Sequence, residues 1–305
     1  MLRVVVLGAA AGGGVPQWNC GCPICRAARN GHSELRSTQT SIAISADGAD
    51  WFLINASPDL RQQLIATPQL HPLAGKLRHS PVTGVILTNG EVDALAGLLS
   101  MREGWPFTIY AHPKVLAILK SNSIFDVLSE ANVKRQAIAV DQAFEPTLSD
   151  GAPSGIEILP FTVPGKAAWY LRDKVRDGEG DTLGLRIRDK ATDKHLVFLA
   201  ACADVSDDLK SRLAGTPLLF FDGTLWRDDE LIAAGLCTKT GQSMGHIAMS
   251  GKGGAIESLA GLNIERKLFL HINNSNPALL RGSQERNMAE RAGWQIPADG
   301  TEIVL

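Results

Sequence analysis

The sequence lacks a net charge of either sign. Its 30 Lys and Arg residues are balanced by 32 Asp and Glu residues, which leaves a formal net charge of −2 at pH 7. No block of like charges stands out along the chain. Proteins that bind nucleic acids usually carry a clear excess of basic residues on one surface. We therefore expect no nucleic-acid partner.

The sequence also lacks the features of a membrane or secreted protein. No apolar run approaches the length of about 18 residues that a spanning helix requires. Residues 2–11 carry one arginine and a short apolar run, but their β-branched valines followed by Gly8 are typical of a strand and a turn rather than a signal peptide. The five cysteines are an odd number, and three of them lie within six positions. Because this is a poor layout for a disulfide framework, we expect a cytoplasmic protein without a membrane segment.

The composition and the apolar pattern predict an α/β (α+β) fold. The 305 residues, of which 45% are hydrophobic and 20% charged, are enough to form a large core. Strands are predicted at residues 3–7, 41–45, 51–54, 84–87, 107–110, 155–161, 183–187, 196–200, 218–221, 268–270 and 302–305. Helices are predicted at residues 59–66, 92–102, 113–120, 206–213, 254–262 and 283–292. This order favours two packed sheets with helices outside, in a single domain over residues 1–305, with irregular loops at 140–154 and 173–181.

The cysteine cluster Cys20-Gly-Cys22-Pro-Ile-Cys25 is the most specific local motif. Thiolates at this spacing can converge on one tetrahedral zinc ion, whereas exposed free thiols so close together would be prone to oxidation. We therefore predict a structural zinc site. The fourth ligand must come from elsewhere in the chain, and the candidates are His271 and Asn274. Donor chemistry favours the histidine, because a neutral amide is a weak ligand for zinc beside three thiolates.

Polar residues follow several of the predicted strands. Glu91 and Asp93 lie between a strand and a helix, and Asp204 follows another strand. His271 ends a third strand, and His246 lies in a glycine-flanked loop. Each alone is compatible with an ordinary role as a helix cap or a partner of the helix dipole. Together, at the ends of otherwise apolar strands, they predict a metal-binding cleft.

The order of elements resembles the metallo-β-lactamase superfamily, whose fold is an αββα sandwich with metals at the loops of one sheet edge. Residues 88–94 lie where that superfamily usually carries Thr-His-x-His-x-Asp-His, and Asp93 is the one ligand kept there. Asn89, Glu91 and Ala94 replace the three histidines, and residues 161–170 lack a further expected histidine. The resemblance assigns the remaining ligand positions to two residues already singled out above, Asp204 and His271.

The cysteine-containing start of the chain resembles that of the superfamily's phosphodiesterases from phosphonate metabolism. In those proteins a structural zinc is completed by a histidine three positions after the last active-site ligand. Asn274 occupies that position here. The resemblance therefore places Asn274, rather than His271, nearest to the fourth zinc position.

Longer strings resemble the pyrroloquinoline quinone (PQQ) biosynthesis protein B family over the whole chain. They are residues 12–25, 55–59, 97–103, 221–226, 240–247 and 271–277. The resemblance implies a small-molecule partner, either PQQ or its precursor. It also implies a structural zinc and a second site for iron(II) or another divalent metal. Two roles have been suggested for this family, and they belong to different classes of function.

The first role is a non-haem iron hydroxylase that acts on the tyrosine of a glutamate–tyrosine precursor. Asp93, Asp204 and His271 would hold the metal and leave positions open for oxygen and substrate. Glu91 would add a ligand or act as a base. Hydrolysis is disfavoured, because the paired histidine site that activates a bridging water is missing. We expect this second metal site to be weaker than the zinc site and often empty after purification.

The second role is a carrier that binds PQQ or its precursor for delivery towards the periplasm, without catalysis. Arg102, Lys166 and His246 would then pair with the carboxylates of the ligand. The missing histidines favour the carrier, and the retained acids and histidine favour the enzyme. We favour the hydroxylase as the first hypothesis. The sequence leaves open whether the chain forms a homodimer.

Overall fold

The structure, a computed structural model, describes residues 1–171 and 178–305. The strands are β1 (Arg3–Gly8), β2 (Ser41–Ser45), β3 (Trp51–Ile54), β4 (Val82–Leu87), β5 (Phe107–Ala111), β6 (Val133–Ala137), β7 (Ile156–Thr162), β8 (Leu183–Asp189), β9 (His195–Leu199), β10 (Leu218–Asp222), β11 (Arg266–Leu270), β12 (Trp294–Gln295) and β13 (Glu302–Val304). The α-helices are α1 (Pro23–Arg29), α2 (Leu60–Ala66), α3 (Val92–Leu95), α4 (Pro113–Ser121), α5 (Asp207–Leu213), α6 (Glu230–Ala233), α7 (Gly241–Met244), α8 (Ala255–Ser258) and α9 (Gln284–Arg291). Short 3-10 helices lie at Ser33–Leu35, Pro68–Leu70, Ala96–Met101, Ser123–Val127, Trp169–Leu171 and Pro277–Leu279.

The strands form two mixed sheets. The first has the order β13-β1-β2-β3-β4-β5-β6, in which β3 to β6 are parallel and the other pairs are antiparallel. The second has the order β12-β11-β10-β9-β8-β7, in which β9 to β12 are parallel and β7 and β8 are antiparallel. In the described part of the chain, no helix has the length and apolar composition needed to cross a membrane.

An apolar layer lies between the two sheets. Phe52 and Tyr110 from the first sheet and Phe198 and Phe220 from the second belong to one buried cluster. Burial of each large apolar side chain stabilises the fold by roughly 1.5–3 kcal/mol. The outer face of the first sheet packs on α2 and α4, and the outer face of the second packs on α5, α8 and α9. These layers confirm the predicted αββα sandwich of two mixed sheets with helices outside.

The parallel strands of both sheets carry polar residues to one edge of the sandwich. Glu91 and Asp93 follow β4, Asp222 ends β10 and His271 follows β11. The carboxyl ends of parallel strands in a sheet lie at the same edge, which is where ligands bind in such folds. Here the ends from the two sheets also meet, because His271 Nε2 lies 3.0 Å from Asp93 Oδ2.

The observed elements differ from the predicted ones in several places, of which the helix predicted at 92–102 and strand β6 are two. The helix predicted at 92–102 is α-helical only at Val92–Leu95 and continues as the 3-10 helix Ala96–Met101. Strand β6 was not predicted, because its sequence Val-Lys-Arg-Gln-Ala has one buried residue and no apolar alternation. It pairs with β5 through backbone hydrogen bonds at the edge of the sheet, which leave little signature in the side chains. Residues 140–154 form the predicted irregular loop, whereas residues 173–177 of the second predicted loop lie outside the described residues.

Gly97 joins the loop after β3 to the segment after β4. Its amide donates a hydrogen bond to the carbonyl oxygen of Ala56 at 2.9 Å, and the amide of Ala56 donates to the carbonyl of Ala94 at 2.7 Å. A Cβ atom at Gly97 would overlap the carbonyl oxygen of Ser57 and lie 2.8 Å from that of Ala56. The close approach of these two backbones therefore requires glycine, and it fixes the position of the segment that carries Asp93.

We expect Gly97→Ala to lower the free energy of unfolding by about 1–3 kcal/mol, because the two backbones must move apart to admit the methyl group. Urea unfolding of the zinc-loaded protein measures this change. Gly178→Ala is the matched control, since its Cβ would have only the flexible Lys114 Nζ nearby, at 3.5 Å. Equal stability of the two variants would contradict the role of Gly97.

Candidate functional site

The three thiols of the cysteine motif converge in the structure. Their sulfur atoms lie within 4.8 Å of one another. Cys22 is the N-cap of α1 and Cys25 lies in its first turn, so the start of the helix directs both sulfurs to the same side. Asn274 Nδ2 lies 3.1 Å from Cys20 Sγ and 3.3 Å from Cys25 Sγ. A half-turn of the amide would present its oxygen at the same place.

The surroundings of these thiols disfavour three bare thiolates. Burial raises the pKa of the Cys25 thiol to about 11. Burial acts in the same direction on Cys20, but hydrogen bonds from Cys22 outweigh it and hold the pKa of Cys20 below its ordinary value. A cation is therefore needed to stabilise all three sulfurs as thiolates. This donor set fits zinc, with Asn274 at the fourth side of the site.

A second group of polar residues, the histidine cluster, comprises Asp93, Asp222, Thr224, His246 and His271. In it, His271 has a left-handed backbone with φ of 57°, an uncommon conformation for a residue with a side chain. Its Nε2 lies 3.0 Å from Asp93 Oδ2, and its Nδ1 lies 2.8 Å from Thr224 Oγ1. Strained backbone is often found at functional positions, where the surrounding contacts hold it.

Asp222 is the buried anchor of the histidine cluster. Its Oδ2 accepts hydrogen bonds from the amide of Cys202 at 2.9 Å and from His246 Nδ1 at 2.7 Å. Its Oδ1 accepts from the amide and the hydroxyl of Thr224, at 3.0 and 2.6 Å. The rings of His246 and His271 stack with their centroids 5.1 Å apart. Asp222 thus holds one ring directly and the other through Thr224.

The hydrogen bonds also decide which ring nitrogen of each histidine is available. The Thr224 hydroxyl gives its only proton to Asp222, so it accepts a proton from Nδ1 of His271. Asp222 likewise accepts the Nδ1 proton of His246. Nε2 is then the atom that each ring can offer to a ligand. A histidine held through Nδ1 by a carboxylate is a common arrangement behind metal ligands.

The pKa values of three residues in the histidine cluster are shifted by their neighbours. Burial disfavours the charged form of His271, but the hydrogen bond and the charge of Asp93 outweigh it and raise the pKa of His271 above its ordinary value. Burial likewise disfavours ionised Asp93, and the same hydrogen bond lowers its pKa overall. The pKa of Asp222 is lowered against a full burial penalty, chiefly by the charge and hydrogen bond of His246. Without a metal, Asp93 and His271 therefore form an ion pair.

The histidine cluster lies at one side of a cleft with a volume of about 250 Å³. Glu91 and Lys166, both singled out from the sequence, line the cleft with Asn89 and Ala94. Glu91 Oε1 accepts a hydrogen bond from the amide of Trp169 at 2.8 Å. Lys166 Nζ donates to the carbonyl oxygen of Ser243 at 2.5 Å. The structure thus brings Glu91, Asp93, Lys166, His246 and His271 to one cleft.

Asp204 and Arg102 are not brought to this cleft. Asp204 is exposed, because the turn after β9 directs the neighbouring Cys202 inward, where its amide binds Asp222. It lines a separate depression that also touches His246. Arg102 is exposed at the end of the 3-10 helix, where its side chain contacts the carbonyl of Leu99 and Glu103. Both assignments from the sequence are corrected on these grounds.

Two members of the histidine cluster were missed by sequence reasoning. Asp222 and Thr224 lie in the string Phe-Asp-Gly-Thr at the end of a strand made of apolar residues. An acid followed two positions later by a hydroxyl, directly after such a strand, was the available signal. Trp169 and Lys239 also line the cleft and were not singled out.

Comparisons with known proteins identify the family and the fold. Residues 50–272 match the model of a β-lactamase superfamily domain. The chain is 71% identical to coenzyme PQQ synthesis protein B of Rhodopseudomonas palustris (strain TIE-1), and the match covers 100% of both chains. Its fold matches the crystal structure of Zn²⁺-bound PqqB from Methylobacterium extorquens with a TM-score of 0.94, over 99% of this chain and 100% of that chain. The two sequences are 50% identical.

A diphosphatase of the PhnP family shares the fold at 21% identity, with a TM-score of 0.70 over 100% of this chain and 98% of that chain. The matches at high identity confirm the family resemblance drawn from the sequence strings. The chain belongs to the coenzyme PQQ synthesis protein B family, within the β-lactamase superfamily.

Proposed function

We propose that this protein of PQQ biosynthesis is a hydroxylase that acts on the tyrosine ring of a glutamate–tyrosine precursor, with one iron(II) ion in the cleft. The observation that carries the proposal is the 3.0 Å separation of Asp93 Oδ2 and His271 Nε2. These two atoms face each other at hydrogen-bond distance at one side of the cleft, so Asp93 and His271 would together hold a single metal ion there.

Among the described residues, the ligand atoms of Asp222, His246 and His271 lie within 4.8 Å of one another. We assign the third ligand to His246, in place of Asp204, because its ring stacks on that of His271. Its Nδ1 is held by Asp222, so that Nε2 remains for the metal. Asp93, His246 and His271 together provide two imidazoles and one carboxylate. This donor set is that of non-haem iron(II) oxygenases, which keep positions open for oxygen and substrate.

The bound iron would supply the one-electron chemistry that activates O₂. In the overall reaction, one oxygen atom of O₂ enters the ring as a hydroxyl group, and the other is released as water. A two-electron reductant supplies the electrons, and two protons balance the reaction. Glu91 lines the same cleft, and we assign to its carboxylate the role of accepting the phenol proton.

One observation favours the alternative, a carrier that binds PQQ or its precursor for delivery towards the periplasm. Asn89 and Ala94 line the cleft at positions where the superfamily usually carries histidines, and neither offers an imidazole. The carrier would hold its ligand in the same cleft without turnover. Metal-dependent formation of a hydroxylated product separates the two roles.

We further propose that the cysteine motif and Asn274 hold a structural zinc separate from the cleft. Asn274 follows His271 by three residues, so this zinc would anchor the segment that carries a cleft ligand. The three cysteines must stay reduced to bind zinc, and the cytoplasm keeps thiols reduced, which supports a cytoplasmic location.

Cys22→Ser should lose stoichiometric zinc and much thermal stability, because binding of a structural zinc contributes directly to folding. Metal analysis and the melting temperature measure both effects. Cys237→Ser is the matched control, since Cys237 lies outside both clusters. Full zinc content and an unchanged melting temperature in Cys22→Ser would falsify the proposed site.

Asn274→His should tighten zinc binding, because an imidazole is a stronger zinc ligand than an amide at the same position. Competition with a chromophoric chelator measures the affinity, and Asn274→Ala should weaken it. If the histidine variant held zinc no better than the alanine variant, residue 274 would not face the metal.

Iron(II) added anaerobically should raise the melting temperature of the zinc-loaded protein. At a concentration of 100 times the dissociation constant, mass action adds about 2.7 kcal/mol. Asp93→Ala, His246→Ala and His271→Ala should each remove this shift, and also hydroxylation of the precursor, while zinc is retained. Asp204→Ala should keep both, because Asp204 is exposed outside the cluster. Loss of the shift in Asp204→Ala alone would reverse the assignment of the third ligand.

A further inference from the structure

The charged groups of the cleft differ in whether they have an ion-pair partner. At the floor, Asp93 pairs with His271, and Glu91 lies on the adjoining wall. Two lysines, Lys166 and Lys239, line the same cleft. Lys239 is exposed and makes no ion pair within the described residues. A cation placed in a cleft without a protein partner is available to a bound anion.

Trp169 adds an aromatic surface to the same cleft. Its side chain is 64% exposed although it lines a concave site. An exposed aromatic ring that lines a concave site can stack on a planar ligand. The planes of the Trp169 and Tyr170 rings meet at 86°, with centroids 6.5 Å apart.

These residues are held in place before any ligand binds. Lys166 Nζ donates to the carbonyl of Ser243, which ties the segment around residue 166 to helix α7. The amide of Trp169 donates to Glu91, and the Tyr170 hydroxyl donates to the carbonyl of Gly90 at 2.6 Å. Lys239 directly precedes Thr240, the N-cap of α7. We call Lys166, Trp169 and Lys239 the cleft rim.

We propose that the cleft rim orients an aromatic carboxylate, with its carboxylates at Lys239 and Lys166 and its ring against Trp169, pointing towards Asp93 and His271. The carboxylates are attracted by the lysines of the rim, whereas at the floor the cation of His271 is already paired with Asp93, so the opposite orientation is disfavoured. Lys239 and Trp169 are thus specificity-determining residues. The inference rests on the proposed function in one respect only, that the ligand is an aromatic carboxylate.

The test is calorimetric binding of two probes to zinc-loaded protein without iron. The probes are the dipeptide glutamyl-tyrosine and its analogue with both carboxylates converted to amides. Wild type should bind the charged dipeptide roughly threefold to tenfold more tightly than the amide, as expected for partly exposed charged contacts. This difference should shrink at 1 M salt, where charges are screened.

Lys239→Gln should remove most of the preference for the charged dipeptide and leave binding of the amide unchanged, whereas Lys239→Arg should keep the preference. Trp169→Ala should weaken the binding of both probes to a similar extent, and Trp169→Phe should largely restore it. Arg102→Gln is the matched control for loss of a cation, because Arg102 is exposed outside the cleft.

An unchanged preference in Lys239→Gln, or no binding of either probe to wild type, overturns the inference. Because the probes are measured without iron or oxygen, the result is independent of turnover. Binding with the expected pattern but no hydroxylation after iron, O₂ and reductant are added would reject the hydroxylase and leave the rim assignment standing. Hydroxylation of the precursor without a preference for the charged dipeptide would reject the rim assignment and leave the hydroxylase standing.

Discussion

The buried carboxylate of Asp222 is the constraint on which the site depends. A charge removed from water costs several kcal/mol unless the protein supplies hydrogen bonds in return. Asp222 is 0% exposed, and it receives them from the backbone amides of Cys202 and Thr224, the Thr224 hydroxyl and His246. Each of these partners is thereby fixed relative to the end of β10. The positions of both imidazoles follow from satisfying one acid.

The pair of Asp93 and His271 stabilises the proposed metal site through its own charges when no metal is bound. The lowered pKa of Asp93 stabilises the fold in full above the ordinary aspartate value of 3.8, and this contribution is lost as the pH falls through the folded pKa. The raised pKa of His271 contributes in full below the ordinary histidine value of 6.5, and this contribution is lost as the pH rises through the folded pKa. Between these values the proton on His271 balances the charge of Asp93, as a bound divalent cation would. Metal and proton therefore compete for the same nitrogen.

The sequence correctly predicted sites whose residues lie close together in the chain. It was misleading for side chains whose direction depends on the turn that carries them. The spacing of the three cysteines is enough to predict convergence, because the start of α1 brings two of the sulfurs together. The strand ends predicted which edge of the sandwich carries polar residues. In contrast, Asp204 follows one apolar strand and Asp222 ends another, and only the structure shows that the first is exposed and the second is buried against the amide of Cys202. The backbone of the 3-10 helix likewise places Arg102 away from the cleft, which its position on an α-helical pattern did not indicate.

The short distance in sequence between Asn274 and His271 would link the metal loading of the two proposed sites. The segment that carries both residues is anchored at one end by β11 and at the other by the contacts of Asn274 with the cysteine sulfurs. If zinc arrives first, the left-handed backbone of His271 is already held when iron is delivered. If zinc is scarce, the segment loses its second anchor and iron meets a less ordered ligand. Zinc supply in the cell would then limit the rate of iron loading, although the two proposed sites share no ligand.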